Sequence, residues 1–263
     1  MSLRVKDVIA RIIADVPGAP FPQTVDTLKT GDPEQVVTGI VTTFLASCDL
    51  IERAAAAGAN LIITHEPTFY EHADPVDWLV DDPVYTAKKA LIERHGMAIW
   101  RFHDYLHSLK PDPTFAGLFQ ALGWIDSVDP EVFYVADRPA TTVGALIAEV
   151  KGRLGLGAVR LVGDQAQPVT RVGLMVGAPP GRWHIEALRN AHLDALIVGE
   201  INEWETSEYV RDARWAGLAK ALIVIGHSVS EEDGMRLVVP WLQARLPEVP
   251  IAFLPTGHPL TIL

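Results

Sequence analysis

Asn60-Leu61-Ile62-Ile63-Thr64-His65-Glu66 is the stretch whose reading decides the fold. A short apolar run rich in β-branched residues reads as a strand buried on both faces. It stops on an imidazole and a carboxylate. The pattern recurs three times: Met97-Ala98-Ile99-Trp100-Arg101-Phe102 runs into His103-Asp104, residues 193–198 run through Gly199 into Glu200, and residues 221–225 run through Gly226 into His227. In open α/β sheets ligands bind outside the carboxyl ends of the strands. Four polar endings of this kind point to one convergent site.

The segments between these runs have helical spacing. Residues 50–57 read as a helix closed by Gly58, and residues 82–95 as a helix stopped by Gly96. Upstream, residues 2–16 read as an amphipathic helix capped by Ser2, and the Val- and Thr-rich residues 35–44 as a strand. Downstream of Ser127-Val128-Asp129-Pro130 we expect strands over 131–136, 159–162, 171–176, 193–198, 221–225 and 251–254, with helices over 141–154, 183–192, 204–216 and 230–245. Strands alternating with helices predict an α/β protein with mainly parallel sheets. The expected division is an N-terminal α/β unit, residues 1–127, carrying His65, Glu66, His103 and His107, and a C-terminal α/β unit, residues 128–263, carrying Glu200, His227 and Glu231. The two could share a sheet.

Composition excludes several classes. Against 33 Asp and Glu there are 22 Lys and Arg, a net charge of −11, and no basic run tracks a phosphate backbone, so direct nucleic-acid binding is disfavoured. A small anionic substrate would need a bound metal to supply positive charge. The single cysteine, Cys48, excludes an intramolecular disulfide or a thiolate cluster; it reads as a small buried apolar residue in a reducing compartment. With no signal-peptide pattern and no apolar run of membrane-spanning length, a cytoplasmic, soluble protein is expected.

Within Gly226-His227-Ser228-Val229-Ser230-Glu231, His227 and Glu231 stand at i and i+4 if the helix starts near Ser228, so both could face one metal. The same residues fit a capping box with Glu231 on a backbone N–H. His65-Glu66-Pro67 could turn both side chains one way, or His65 could merely finish a strand. In His103-Asp104-Tyr105-Leu106-His107 the two imidazoles share a face whether the segment is helical or extended. Glu200 reads either as an acid or base beside the site or as a helix-start carboxylate.

Thr64-His65-Glu66-Pro67, His103-Asp104-Tyr105-Leu106-His107, Gly199-Glu200-Ile201 and Gly226-His227 with Glu231, in that order, resemble the NGG-one-interacting-factor-three family, whose members carry the label GTP cyclohydrolase I type 2 homologue. The resemblance covers most of the chain. It implies two Rossmann-like three-layer units, a toroidal homohexamer and a dinuclear metal centre. Carried over, the metal ligands fall on His65, Glu66, His107, His227 and Glu231, with His103 and Asp104 beside them or as alternative ligands. The chain departs from the family pattern twice: Glu66 stands for a His and His107 for an Asp. The number of carboxylates is thereby kept. Bridging would fall to Glu66, Glu231 or Asp104, and a mononuclear site is the alternative.

Mixed nitrogen and oxygen donors without sulfur suit Zn, Mn, Fe, Co or Ni, at one or two ions per chain. We therefore expect a metal-dependent hydrolase-like protein acting on a small molecule, a nucleotide or other phosphorylated compound, with Glu200 and Asp104 as acid-base candidates. A non-catalytic metal-binding regulatory or scaffold protein is the alternative. A metal-free binding module is the third. Of the other histidines, His72, His184 and His192 read as surface and His95 as a helix C-terminal cation, while His258 follows the last strand toward the site. Gly177-Ala178-Pro179-Pro180-Gly181 lacks the Lys-Ser/Thr ending of a phosphate loop.

Overall fold

The computed structural model describes residues 2–261. In chain order its elements are α1 (Val5–Ala14), β1 (Leu28–Thr30), β2 (Ile40–Thr43), α2 (Cys48–Ala56), β3 (Leu61–Thr64), α3 (Pro83–Arg94), β4 (Ala98–Arg101), α4 (Asp104–Ser108) and α5 (Pro113–Leu122). There follow β5 (Val135–Thr142), α6 (Val143–Leu154), β6 (Arg160–Val162), β7 (Pro168–Met175), α7 (Gly181–Asn190), β8 (Ala195–Val198), α8 (Glu208–Trp215), β9 (Ala221–Val224), α9 (His227–Arg245) and β10 (Ile251–Phe253). Among the described residues no helix is long and apolar enough to cross a membrane.

Two compact units form, one of residues up to 113 with 234–257, the other of residues 114–233 with those from 258. This division differs from two consecutive halves meeting at 127/128. β10 pairs in parallel with β2, so the chain's last strand belongs to the first sheet, and α9 passes from the second unit to the first at Gly234. A break in composition near residue 127 carries no record of that return, because pairing partners are chosen in space.

The first sheet has the order β1-β4-β3-β2-β10, parallel except for β1. Alternate residues point to opposite faces, and both faces are covered. Ile40, Leu61, Ile63, Ala98 and Trp100 join a core with α1 and the later turns of α9, whereas Val41, Ile62 and Ile99 join another with α2 and Ile92 of α3. Burying each Val, Leu or Ile side chain among them contributes about 1.5–3 kcal/mol, which is why strands of only four residues hold. The second sheet, β5-β7-β8-β9-β6, is parallel through β7, β8 and β9 with antiparallel edges. Ala195, Ile197, Ala221 and Ile223 face one core, and Leu196, Val198, Leu222 and Val224 the other. The α/β class with mainly parallel sheets, each between helical layers, is therefore as expected.

Four local expectations need correction. The N-cap of α1 is Arg4, whose backbone N–H donates to Asp7 Oδ2 at 3.0 Å, not Ser2. The strand expected over 131–136 is β5, shifted toward the C-terminus, and its pairing with β7 is irregular between Asp137 and Thr141, across Pro139, which lacks an N–H for the ladder. Cys48 is exposed in the first turn of α2 rather than buried. His184 is fully buried rather than on the surface.

Candidate metal centre

β3 and β4 are neighbours in parallel register, Thr64 opposite Arg101, so the residues that follow them emerge side by side. His65 is fully buried and its ring stacks on His103, centroids 4.7 Å apart. One helical turn on, His107 N–H donates to His103 O at 3.0 Å, and the His107 ring lies 5.0 Å from His65 and 4.8 Å from His103. The segment is thus helical, and it brings the two imidazoles to one face.

What starts that turn is Asp26, from a distant loop. Its Oδ1 accepts from His103 N and Asp104 N at 2.9 and 3.0 Å, and its Oδ2 from Tyr105 N at 2.8 Å. This carboxylate takes the place of a local cap for the unsatisfied amides of α4. Burial pushes the Asp26 carboxyl up, against those three hydrogen bonds.

Each imidazole has Nδ1 held by an oxygen: His65 by Phe102 O at 3.2 Å, His103 by Asp104 Oδ1 at 2.9 Å, His107 by Asp112 Oδ2 at 2.9 Å. A carbonyl or carboxylate can only accept, so Nδ1 carries the proton and the lone pair sits on Nε2 in all three rings. Metal-binding histidines are held this way. Burial, then the neighbouring His65 and His107 rings, hold His103 down to about 4, so it is neutral at pH 7. Asp104 is fully engaged: beyond His103, its Oδ2 accepts from Thr24 Oγ1 at 2.8 Å and Val25 N at 3.0 Å. Burial works to raise its carboxyl, and the bonds from His103, Thr24 and Val25 bring it below the usual range.

Glu66 is nearly buried, with Oε1 3.9 Å from His103 Nε2 and Oε2 3.4 Å from Arg101 Nη2. Arg101 is fully buried and also donates to His65 O at 2.9 Å and to His72 O. His72 is exposed, but its ring lies 5.5 Å from His103. The loop after Glu66 is fastened by Asp74, which accepts from Thr68 N and Phe69 N, and by Lys88 Nζ, which donates to Thr68 O at 2.6 Å. Asp26, Arg101 and Asp112 were not singled out by sequence. Only Asp112, five residues after His107, lay close enough to have been found.

In the second unit, β8 and β9 pair with Val198 opposite Val224, and Glu200 and His227 follow their ends. Gly226, at φ +109°, turns the chain, and α9 starts at His227 itself. His227 Nδ1 lies 3.1 Å from Glu200 Oε2, and Nε2 lies 3.0 Å from Glu231 Oε2. The i, i+4 reading therefore describes Glu231, which reaches the imidazole. Ser230 Oγ accepts from Gly177 N at 2.9 Å and donates to His227 O at 2.7 Å. A Cβ on Gly177 would sit 2.4 Å from Glu231 Oε1, so the 177–181 loop packs closely against Glu231. The start of α7 is also occupied by the protein's own carboxylate, Glu205 Oε2 accepting from Gly181 N at 3.1 Å. His258 Nε2 lies 2.8 Å from where a Gly226 Cβ would be. His95 ends α3 with Nε2 3.4 Å from Glu52, and His192 is exposed.

His65, His103 and His107 offer ligand atoms within 4.8 Å of one another, as do Asp26, His103 and Asp104. The second group is engaged with backbone amides; the first has the tautomers a metal requires. The chemistry of these donors fits a divalent transition ion.

A GTP cyclohydrolase 1 type 2 homolog of Clostridium acetobutylicum is 24% identical over 226 residues, 80% of each chain, and one of Clostridium perfringens is 23% identical over 241 residues, 87% of each. The Bacillus cereus protein related to NIF3 matches the whole of both chains with a TM-score of 0.79 at 14% identity, a likeness of fold. The family model of Duf34/NIF3 (NGG1p interacting factor 3) matches residues 24–259. The chain belongs to the Duf34/NIF3 family.

Proposed function

We propose that this protein is a metal-dependent hydrolase acting on a small molecule, a nucleotide or other phosphorylated compound. The observation that carries the metal is the set of three rings whose Nδ1 atoms are all held by oxygen acceptors. His65, Glu66, His103 and His107 in the first unit, and His227 and Glu231 in the second, are the proposed ligands for one or two ions of Zn, Mn, Fe, Co or Ni. Such an ion lowers the pKa of a water toward ~7 and polarises a phosphoryl or carbonyl oxygen. Glu200, on the exposed side of His227, is the proposed acid-base residue, and Asp104 holds the His103 ring. The phosphorylated substrate class rests on the names of the relatives. A cytoplasmic setting and a closed homo-oligomer, a hexamer by family resemblance, belong to the same proposal.

Elemental analysis of the wild type beside His65→Ala and His227→Ala tests the metal. One or two ions per chain, reduced in either variant, is expected. A nucleotide and phosphoester screen with the loaded protein tests turnover. Glu200→Gln should keep the metal and lower kcat by about 10²–10⁴-fold, the range of a general acid or base. A metal content that both histidine variants retain would sink the reading.

A further inference from the structure

We propose that the groove between α7 and the turn leading into α8 binds a small planar aromatic anion, a ring bearing a phosphate or a carboxylate. The groove lies within the second unit, and none of its walls is a proposed metal ligand or acid-base residue. It is therefore independent of the metal reading.

Helical spacing builds both walls. On α7, Arg182, Ile185, Glu186 and Arg189 recur at i, i+3, i+4 and i+7, so they form one face. Opposite stand Trp204 and Glu205, in a π-helical turn over Glu203–Ser207, then Glu208 and Tyr209 at the start of α8. The volume between them is about 660 Å³, inside the range of about 300–1,000 Å³ for small-molecule sites. π-helical turns are rare and are frequent at functional sites. In this one two neighbours are pinned inward: Glu205 Oε2 accepts from Gly181 N at 3.1 Å, and Thr206 Oγ1 lies 3.0 Å from Nδ1 of the buried His184. Trp204, just before them, is turned outward and is 74% exposed. A large indole left in water on a pinned turn is a stacking surface, not a core residue.

Unmet hydrogen-bonding capacity sets the charge of the ligand. The three carboxylates of the groove already have partners: Glu186 accepts from Arg182 Nε at 2.8 Å, Glu205 from the first amide of α7, and Glu208 pairs with Arg211. The donors are only partly used. Arg182 engages Nε with Glu186, and Arg189 engages Nε with Asn190 Oδ1 at 3.2 Å. Among the described residues nothing accepts from the Nη atoms of either arginine, from Trp204 Nε1 or from Tyr209 Oη. The two arginines stand two helical turns apart, about 10.5 Å along the axis, with the aromatic groups across the groove. A guanidinium fork matches phosphate or carboxylate with two parallel hydrogen bonds, and the indole takes the ring. A cationic ligand would meet two arginines and no unpaired carboxylate.

The test is isothermal titration calorimetry on the full chain in the presence of a chelator, so that no anion binds through an ion. The probes are AMP and indole-3-acetate, with adenosine and indole-3-acetamide as their uncharged counterparts. One AMP or one indole-3-acetate per chain is expected, the tighter of the two naming phosphate or carboxylate as the anion. The uncharged counterparts should bind at least about 10-fold more weakly. Trp204→Ala should lower affinity about 5–150-fold, the worth of one stacked ring, and at least one of Arg182→Ala and Arg189→Ala about 10-fold or more. All three side chains are exposed, so these variants keep the fold. Trp215→Ala, which removes an exposed indole outside the groove, should stay within about twofold. No heat with either anion at millimolar concentration, equal binding of charged and uncharged probes, or affinity unchanged in Trp204→Ala or in both arginine variants would overturn the site.

Discussion

The chemistry of this protein depends on side chains that hold other side chains. Arg101 is one: a guanidinium with several fixed donors can serve His65 O, His72 O and Glu66 together, which an ammonium cannot do. Arg101→Lys is expected to lower metal affinity and to cost up to about 3–5 kcal/mol, the range for breaking a buried charged pair; chelator competition and chemical denaturation read the two effects. His184 contributes to the acid side of the stability profile. Burial pushes it down to about 4 from 6.5, and its Nδ1 lies 3.0 Å from Thr206 Oγ1. Because the folded value is the lower one, the unfolded chain binds the extra proton as pH falls. The stabilisation is complete above pH 6.5 and is lost progressively toward pH 4, by at most about 3 kcal/mol. His184→Gln should flatten denaturation midpoints across that window. A slope unchanged in the variant would remove His184 from the account.

At the scale of elements, short helices and glycine turns place the site residues. α4 has only five residues and owes its start to Asp26. Asp26→Ala would leave three amides without that acceptor and is expected to cost about 2–3 kcal/mol, and to weaken metal binding through His107, although Asp26 is not proposed as a ligand. The turn at Gly177 is a second case. Its φ of +70° disfavours any side chain, and a Cβ would meet Glu231. Gly58, at φ +79°, has nothing within 4 Å of its added Cβ. Both Gly→Ala variants incur the backbone cost of about 1–2 kcal/mol, and only Gly177→Ala should lose more than that together with metal content. Equal losses in thermal melts would show that the contact with Glu231 carries no weight.

For the whole molecule, binding of the proposed ion would couple to stability by mass action. An ion at about 100 times its Kd adds about 2.7 kcal/mol to unfolding, which for a chain of this length is about 5–10 °C in Tm. Chelation should reverse the shift, and His103→Ala should abolish most of it; calorimetry with and without a chelator measures both. Closed assembly is a separate expectation, read by light scattering as a multiple of the 28.7 kDa chain, six for a hexamer.

The sequence by itself determined the α/β class, because the four buried strand runs need no partner to be recognised: their length, β-branching and flanking helices are local properties. It also placed His65, Glu66, His103, Glu200 and His227 just after strand ends, with His107 and Glu231 each four residues further on, since a run of apolar residues fixes where a strand stops. Only the tertiary structure decided that β10 returns to the first sheet, that Asp26 caps α4 across about 77 residues of sequence, and that Arg101 turns inward beneath Glu66. It also decided which oxygen holds each imidazole. Those relations arise from strand register and loop closure, and a carboxylate or guanidinium in a loop looks the same in sequence whether it faces water or a buried ring.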